Sequence, residues 1–322
     1  MISLVLLQVE NLRTYFVILR GEVKAVDGAA FKLNKGQSLG LAGESGCGKT
    51  TAALSILKLL PSNARIKEGK ILFEGEDILK LKDEVFRKAY RWKKISLISQ
   101  GAMNALNPVM NVGDQIAEAI MLHDDASRDD AHDRAGKLLD LVGVGKERLA
   151  RYPHELSGGM KQRTVIAMAL ACNPDLIIAD EPTTALDVIT EAQVLGVIRE
   201  LQKKLHLSMI IISHDLSMIA ETCDGVAIMY AGKIVEQGDI VAVYKDTLHP
   251  YTQKLIGAFP SIIGEKTELL TIPGFPPDLL NPPSGCRFHP RCQYAMDICR
   301  KENPEMVKVK DKEHYVACHL VK

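Results

Sequence analysis

The sequence carries no excess of charge, no long apolar run and no internal repeat. Its 40 basic and 40 acidic residues cancel, so the chain shows no electrostatic footprint for nucleic acid and no basis for direct binding to anionic membranes. No apolar stretch approaches the roughly 18 residues of a membrane-spanning helix. The apolar start, residues 1–7, is short and lacks a basic flank, which is typical of a first strand rather than a signal peptide. These absences predict a cytoplasmic protein.

The cysteines lack the C-x₂-C pairs of structural zinc sites. Three of the seven are scattered, and four lie near the end of the chain with five, six and eighteen residues between them: Cys286, Cys292, Cys299 and Cys318. In a reducing cytosol, clustered cysteines indicate metal or redox chemistry more often than disulfides. Wide spacing in a proline-rich tail favours an iron–sulfur cluster over one small ion. A mixed zinc site and reduced thiols without metal are the alternatives, and the histidines that would join zinc are His289, His314 and His319.

The rest of the chain is organised around one glycine-rich stretch, residues 43–50, which we call the phosphate loop. It fits G-x-x-x-x-G-K-[ST] and lies between an apolar run and a helical pattern that stops at Pro61. Its glycines let backbone N–H groups approach an anion, and the helix adds its positive dipole end. Lys49 can then reach the β- and γ-phosphates, and the Thr50 hydroxyl can hold Mg²⁺. The residues predicted to contact ATP here are Gly43, Glu44, Ser45, Gly46, Cys47, Gly48, Lys49, Thr50 and Thr51.

Periodicity predicts an α/β fold of about two domains. Alternating patterns in residues 1–35 predict an antiparallel sheet, and continuous apolar runs predict buried parallel strands alternating with helices. Helical patterns occupy residues 101–171, and a poorly periodic, proline-rich tail follows residue 246. The remaining predicted elements are strands at 69–75, 95–99, 176–179 and 209–212, a helix at 192–205, and a hairpin at 226–238.

Asp180 and Glu181 follow an apolar run, which places two carboxylates at the carboxyl edge of the predicted sheet. Ligands bind at this edge in α/β proteins. Asp180 can hold Mg²⁺, and Glu181 can polarise an attacking water. Two acids also occur at solvated strand ends, but the phosphate loop in the same chain favours phosphate chemistry.

Ser157 fits the N-cap of a helix that begins at Gly158, whose free N–H groups would form an anion site. Residues 156–162, which include this cap, resemble the signature of ATP-binding-cassette ATPases. Residues 180–187 are similar to the same family's metal-and-base segment running into its D-loop, while Gln100 and His214 match its Q-loop glutamine and switch histidine. These motifs occur in the family's order with ordinary spacings.

The resemblance covers about residues 1–245 and implies a P-loop NTPase fold of the ABC type. It implies a RecA-like, mostly parallel core with an antiparallel β subdomain, an inserted helical subdomain and an irregular, cysteine-containing extension. The expected ranges are 1–100 and 172–245 for the core, 101–171 for the helical subdomain and 246–322 for the extension.

The resemblance also implies roles for single residues. Phe16 or its neighbour Tyr15 would stack on adenine, Glu181 would be the general base, and His214 would contact the γ-phosphate. Gln100 would sense the γ-phosphate and Mg²⁺, which Thr50 and Asp180 would also hold. Ser157, Gly158 and Gly159 would receive the γ-phosphate of an ATP bound to the opposite subunit. One chain carries one loop and one signature, so a second cassette, identical or related, is expected.

A narrower resemblance is to the ATPase subunits of oligopeptide/dipeptide permeases, some of which bind a 4Fe–4S cluster through four such cysteines. The residues that carry it are 106–108, 249–252, 272–274 and 286–292. It implies a membrane-peripheral importer ATPase that works with two transmembrane permease subunits and, indirectly, an extracytoplasmic substrate-binding protein. Oligosaccharides and metal chelates are alternative solutes. A soluble cassette ATPase acting on DNA or ribosomes is the alternative of another class, and a redox- or iron-sensing tail is a further hypothesis.

Overall fold

The computed structural model describes residues 4–258, 272–309 and 312–321. The predicted first strand and the predicted extension therefore lie partly outside the described residues. The chain forms two compact units. The first contains residues 1–34, 38–79 and 213–322, and the second contains residues 35–37 and 80–212.

The strands of the described chain are β1 (Val5–Ile18), β2 (Gly21–Asn34), β3 (Ser38–Ala42), β4 (Ala64–Phe73), β5 (Glu76–Asp77), β6 (Ile95–Ile98), β7 (Leu176–Asp180), β8 (Ser208–Ser213), β9 (Gly225–Tyr230), β10 (Lys233–Asp239), β11 (Val307–Lys308) and β12 (His314–Val316). The α-helices are α1 (Lys49–Ile56), α2 (Asp83–Ala89), α3 (Val112–Asp124), α4 (Arg128–Leu141), α5 (Gly158–Ala169), α6 (Val188–Leu205), α7 (Leu216–Thr222), α8 (Ile240–Lys245), α9 (Pro250–Gly257) and α10 (Asp297–Lys301).

Two sheets build the first unit. One is antiparallel in the order β2-β1-β4-β5, as the alternation of residues 1–35 predicts. In the other, β3 runs parallel to β9, and β9 continues antiparallel through β10 and β12 to β11. All five residues of β3 are buried, which is typical of a parallel strand with both faces covered. This strand delivers the chain into the phosphate loop.

The second unit combines parallel strands with capped helices. β7 pairs in parallel with β6 and with β8. Helices α3, α4, α5 and α6 each begin after a side chain that accepts a backbone N–H, and these N-caps are Asn111, Ser127, Ser157 and Asp187. Such caps satisfy N–H groups that have no partner within the helix and fix where each helix begins.

The predicted α/β architecture is confirmed, with corrections at element ends. The strand predicted at 69–75 begins at Ala64 and ends at Phe73. It ends there because Glu74 and Gly75 adopt positive φ and turn the chain. The helix predicted from residue 192 begins at Val188, directly after its Asp187 cap. Across the described residues, none of the helices combines the length and apolarity that crossing a membrane requires.

The described part of the extension packs into the first unit through aromatic rings. Tyr251 lies 4.6 Å from Tyr230 of β9 and 5.4 Å from Phe288 between ring centroids. All three side chains are at most 1% exposed. Burying three large rings contributes several kcal/mol to folding by roughly 25 cal/mol per Å² of apolar surface. The extension is therefore anchored next to β9 by a core of its own.

Candidate functional site

The phosphate loop turns through three glycines with positive φ. The φ angles of Gly43, Gly46 and Gly48 are 149°, 77° and 108°, a region that residues with a Cβ rarely adopt. A Cβ added to Gly43 would lie 2.1 Å from the carbonyl oxygen of Met229, and one on Gly48 would lie 2.1 Å from that of Ala25. At Gly43 and Gly48 the neighbouring backbone therefore approaches too closely for any residue that has a Cβ.

Lys49 occupies the inside of this loop and is 6% exposed. Its Nζ donates to the carbonyl oxygens of Gly43 at 2.7 Å and Glu44 at 3.1 Å. A buried ammonium needs such oxygen partners, because burial without them is costly. Lys49 is also the first residue of α1, so its charge and the positive end of the helix meet at one place. Thr50 follows with an exposed side chain.

Tyr15 and Phe16 lie near the end of β1 and, by strand alternation, on opposite faces. The Tyr15 hydroxyl donates to Asp27 at 2.7 Å, and burial together with this carboxylate raises the pKa of Tyr15 to about 12. Thr14, on the face of Phe16, lies 2.8 Å from the Ser55 hydroxyl of α1. Phe16 thus shares the face that packs on the loop's helix, whereas the Tyr15 hydroxyl is held on the other face.

In the second unit, Glu181 lies just past β7 with a φ of 48°. A non-glycine residue in this region stores strain, which is often found at functional sites. Its carboxylate accepts hydrogen bonds from Gln100 at 3.2 Å and from Thr184 at 3.0 Å. Asp180, at the end of the same strand, is only 4% exposed. The structure therefore brings together Gln100 and Glu181, which the sequence separates by 81 positions.

The signature segment presents the start of a helix to solvent. The Ser157 hydroxyl accepts from the Met160 N–H at 3.4 Å, and Ser157 and Gly158 are exposed. A Cβ on Gly159 would lie 2.4 Å from the Thr190 side chain of α6. Glycine at this position therefore lets α5 and α6 pack closely while the first turn of α5 remains accessible.

The start of α6 carries exposed apolar side chains. Asp187 caps α6 by accepting from the Thr190 N–H at 3.0 Å. The first two residues of the helix, Val188 and Ile189, are 81% and 73% exposed. Exposed neighbours of this kind are typical of a surface that another chain covers.

His214 is exposed and directly precedes Asp215, whose carboxylate caps α7 by accepting from Ser217 N–H at 2.8 Å. The fixed start of α7 therefore fixes the backbone of the predicted switch histidine.

The four clustered cysteines line one small cavity in the first unit, together with His289 and His319. The Cys286 N–H donates to the Cys299 carbonyl at 2.9 Å, which ties two of the cysteine-bearing stretches together. Burial, reinforced by the neighbouring thiols, raises the pKa of Cys286 to about 11. Among the described residues, no group of three or more Cys, His, Asp or Glu side chains is arranged to hold a single metal ion.

His314, which the sequence offered as a zinc ligand, has another role. Its Nε2 lies 2.8 Å from the Glu236 carboxylate, and both side chains are fully buried. Glu236 also accepts from the Leu248 and His249 N–H groups at 2.8 and 3.1 Å. His314 therefore joins β12 to β10 and to the start of the extension.

Sequence reasoning missed three residues of the extension, two of which reach the phosphate loop. Arg291 binds both carboxylate oxygens of Glu44, at 2.7 and 3.0 Å, and the Tyr251 hydroxyl accepts from the Glu44 N–H at 2.9 Å. Arg287 pairs with Asp27. Two arginines between two clustered cysteines were the signal that could have drawn attention to them.

The fold is that of ATP-binding cassettes in solved structures. A dimeric cassette described as a post-hydrolysis state bound to ADP and phosphate matches 73% of this chain and 98% of its own, with a TM-score of 0.65 at 22% identity. The cassette cbiO1 of Clostridium perfringens matches 75% of this chain and 91% of its own, with a TM-score of 0.65 at 26% identity. A family model described as ABC transporter matches residues 26–184. The protein is an ATPase of the ABC class.

The extension shows to which family within the ABC class the chain belongs. A second family model, described as the C-terminal region of oligopeptide/dipeptide transporters, matches residues 235–299. The oligopeptide transport ATP-binding protein OppD of Bacillus subtilis is 47% identical over 98% of this chain and 89% of its own length. The dipeptide transport ATP-binding protein DppD of Caldanaerobacter subterraneus is 42% identical over 98% of this chain and 97% of its own length. The chain belongs to the family of ATP-binding subunits of oligopeptide and dipeptide ABC transporters.

Proposed function

We propose that this ATPase powers the import of oligopeptides or dipeptides through separate membrane subunits. The observation that carries the proposal is the similarity to peptide-transport ATP-binding proteins, which runs over 98% of the chain and so includes the extension. On this proposal the chain would lie at the cytoplasmic face of the membrane, bound to two transmembrane permease subunits. An extracytoplasmic substrate-binding protein would deliver the peptide to those subunits.

For the nucleotide site, the proposal assigns the phosphates to the loop N–H groups and Lys49. Lys49 would exchange its two loop carbonyls for phosphate oxygens, which bind an ammonium more strongly because they are charged. Mg²⁺ prefers hard oxygen ligands, and the exposed Thr50 hydroxyl, the Asp180 carboxylate and the Gln100 amide oxygen would supply them.

Glu181 would accept a proton from the attacking water, and its hydrogen bonds to Gln100 and Thr184 would orient its carboxylate. His214 would contact the γ-phosphate. For adenine, we favour Phe16 over Tyr15, because Phe16 shares a strand face with Thr14, which contacts α1. The domain ranges expected from the sequence remain a prediction.

A second cassette would complete the site. The accessible first turn of α5, with Ser157, Gly158 and Gly159, offers N–H groups to a phosphate held by another chain. The exposed Val188 and Ile189 supply apolar surface beside it in the second unit. The partner cassette is either a second copy or a related chain.

Peptide-stimulated hydrolysis in the assembled transporter tests this function. The chain is purified from its own cells with its membrane partners, reconstituted into lipid vesicles and assayed for phosphate release. Short peptides should stimulate release, whereas oligosaccharides and metal chelates should not. Stimulation by one of those other solutes, or co-purification with nucleic acid instead of membrane subunits, would contradict the proposal.

We also propose that the cysteine cavity holds a 4Fe–4S cluster. Four thiols lining one cavity match the ligand number of such a cluster. The resemblance to permease ATPase subunits that bind such a cluster through four cysteines is the other support, since the described residues contain no group of Cys, His, Asp or Glu arranged to hold a metal ion. When bound, the cluster would bring redox-active iron to the extension, and the four thiols would bind it as thiolates.

Iron, zinc and acid-labile sulfide analysis of protein purified without oxygen tests this assignment. We expect about four irons and four sulfides per chain, lost when the cysteines are changed to Ser. Zinc without sulfide would replace the cluster by a structural ion, and neither metal would leave reduced thiols.

A further inference from the structure

The phosphate loop contains a carboxylate that needs a partner. Glu44 lies among the residues that bind the negatively charged phosphates of ATP, and a free carboxylate there would repel them. Arg291 binds both of its oxygens in a two-pronged ion pair, the strongest geometry for this pair of groups. The remaining donors of Arg291 are held by the carbonyls of Pro273 at 2.8 Å and Gly274 at 3.3 Å and by the Tyr230 hydroxyl at 3.3 Å.

Arg291 is 8% exposed, and its guanidinium lies 5.7 Å from the centre of the Tyr230 ring. A charge so well buried keeps its ion pair at ordinary salt, because solvent ions screen it little. Loss of either partner would leave an uncompensated charge, which costs far more than the pair gains. Whether the charge of Glu44 is neutralised therefore depends on the position in which the extension holds Arg291.

A second contact fixes the backbone at the same residue. The Glu44 N–H donates to the Tyr251 hydroxyl at 2.9 Å, and Tyr251 is fully buried between Tyr230 and Phe288. The extension thus restrains both the side chain and the amide of one loop residue.

Arg287, four residues before Arg291, makes a parallel connection to β2. Its guanidinium pairs with Asp27 and the Ala231 carbonyl, and Asp27 accepts from the Tyr15 hydroxyl. The Gly232 N–H, next to Ala231, donates to the Cys47 carbonyl of the phosphate loop at 2.9 Å. Arg291 therefore contacts the phosphate loop directly, and Arg287 is connected to it through Ala231 and Gly232.

Both arginines belong to one short stretch, residues 286–292, which we call the arginine clamp. Cys286 and Cys292 are its two ends, and both line the four-cysteine cavity. A group that bound the cysteines would restrain both ends of the clamp, and its loss would remove that restraint.

We propose that the arginine clamp positions the phosphate loop and neutralises Glu44 within it. Whether a bound group restrains the four cysteines then sets the affinity of the same chain for ATP. Arg291 is a positioning residue, since it acts through Glu44 rather than on the nucleotide. The inference rests on the proposed nucleotide site, and the thiols need only be restrained, whichever group restrains them.

The first test is equilibrium binding of ATP to the full-length protein with Arg291→Ala. We expect affinity to fall by roughly tenfold or more, the effect of one uncompensated charge near the ligand. Arg291→Lys should lose less ATP affinity, because it keeps the positive charge although it cannot bind both carboxylate oxygens as a guanidinium does. Arg300→Ala, which removes an exposed arginine of the same extension, is the matched control and should bind as the parent does.

Removal of the carboxylate distinguishes neutralisation from a general structural defect. In the Arg291→Ala background, Glu44→Gln should restore most of the lost affinity, because the repulsive charge is gone. Near-ultraviolet circular dichroism establishes that each variant is folded. A folded Arg291→Ala protein with parental affinity, or a folded double variant without recovery, would overturn the neutralising role.

The second test changes the ends of the clamp. Cys286→Ser with Cys292→Ser should weaken ATP binding, and the same change should add nothing in the Arg291→Ala background, because both act through one element. Additive effects, or no effect with the metal or sulfide verifiably lost, would overturn the coupling. Lys49→Ala separates failure of the nucleotide site from failure of the clamp. If the parental protein binds no ATP, or if Lys49→Ala leaves ATP affinity unchanged, the proposed nucleotide site is refuted rather than the clamp.

Discussion

At the scale of single residues, His249 shows how burial sets chemistry. It is 1% exposed and caps α9 through Nδ1, which accepts the Tyr251 N–H at 3.0 Å. Burial lowers the pKa of His249 to about 3. Protonation would charge a buried ring and remove the acceptor of the cap, so the folded protein holds this residue neutral.

A pH dependence of stability follows from this residue. The unfolded chain binds a proton at His249 near pH 6.5 and the folded chain near pH 3, so stability is fully present above pH 6.5 and falls between these values. We expect a loss of about 1.4 kcal/mol per pH unit from this residue alone. Denaturant titrations at pH 7 and pH 5.5 measure it. His249→Asn, which keeps a capping oxygen, should remove this contribution, and an unchanged pH slope in that variant contradicts the assignment.

Lys49 carries the strongest single-residue prediction for binding. Lys49→Ala removes the ammonium held inside the phosphate loop, and ATP affinity should fall by about tenfold or more for loss of a charge–charge contact. Fluorescent nucleotide titration measures it. Lys70→Ala, an exposed lysine of β4, is the control, and equal affinity in the two variants would refute the assigned role.

At the scale of elements, the phosphate loop depends on close backbone approach rather than on glycine flexibility alone. Gly48→Ala would place a methyl group 2.1 Å from the Ala25 carbonyl oxygen, whereas a Cβ on Gly46 meets no atom of the described residues within 4 Å. Both glycines have positive φ, so the pair separates backbone strain from steric clash.

We expect Gly46→Ala to lower the free energy of unfolding by about 1 kcal/mol, the cost of left-handed backbone. Gly48→Ala should lower it by roughly 3 kcal/mol or more, because overpacking adds to the same strain. Urea denaturation of both variants measures the difference. Equal losses would show that the Ala25 carbonyl does not constrain the loop.

The elements themselves were largely predictable, because their signals are local. The G-x-x-x-x-G-K-[ST] spacing, the Ser157 cap and the apolar run before Asp180 each depend on a few consecutive residues, and the structure has the loop, the cap and the strand. The observed ends of elements differ from the predicted ends where the conformation of a single residue determines them. An example is Glu74, whose positive φ ends β4. Such backbone choices depend on tertiary packing that periodicity does not report.

At the scale of the whole molecule, contacts across long sequence separations were not predictable. Arg291 and Glu44 are 247 positions apart. The local sequence around Arg291 does not predict a contact with Glu44, and the glycine-rich sequence around Glu44 does not predict a contact with Arg291. The four cysteines were recognised as a cluster because they are close in sequence. The contacts of the same extension with the phosphate loop, from Arg291 and Tyr251 to Glu44, are visible only in the structure.

We propose that Glu181 is the general base for ATP hydrolysis in this protein. The most direct test is phosphate release by the assembled transporter that carries Glu181→Gln, with ATP binding measured in the same preparation. Glu200→Gln, an exposed residue of α6, is the matched control. We expect Glu181→Gln to retain ATP in a closed pair of cassettes while hydrolysis falls by about 100-fold or more, the range for loss of a general base. Hydrolysis at the parental rate would show that Glu181 is not the general base.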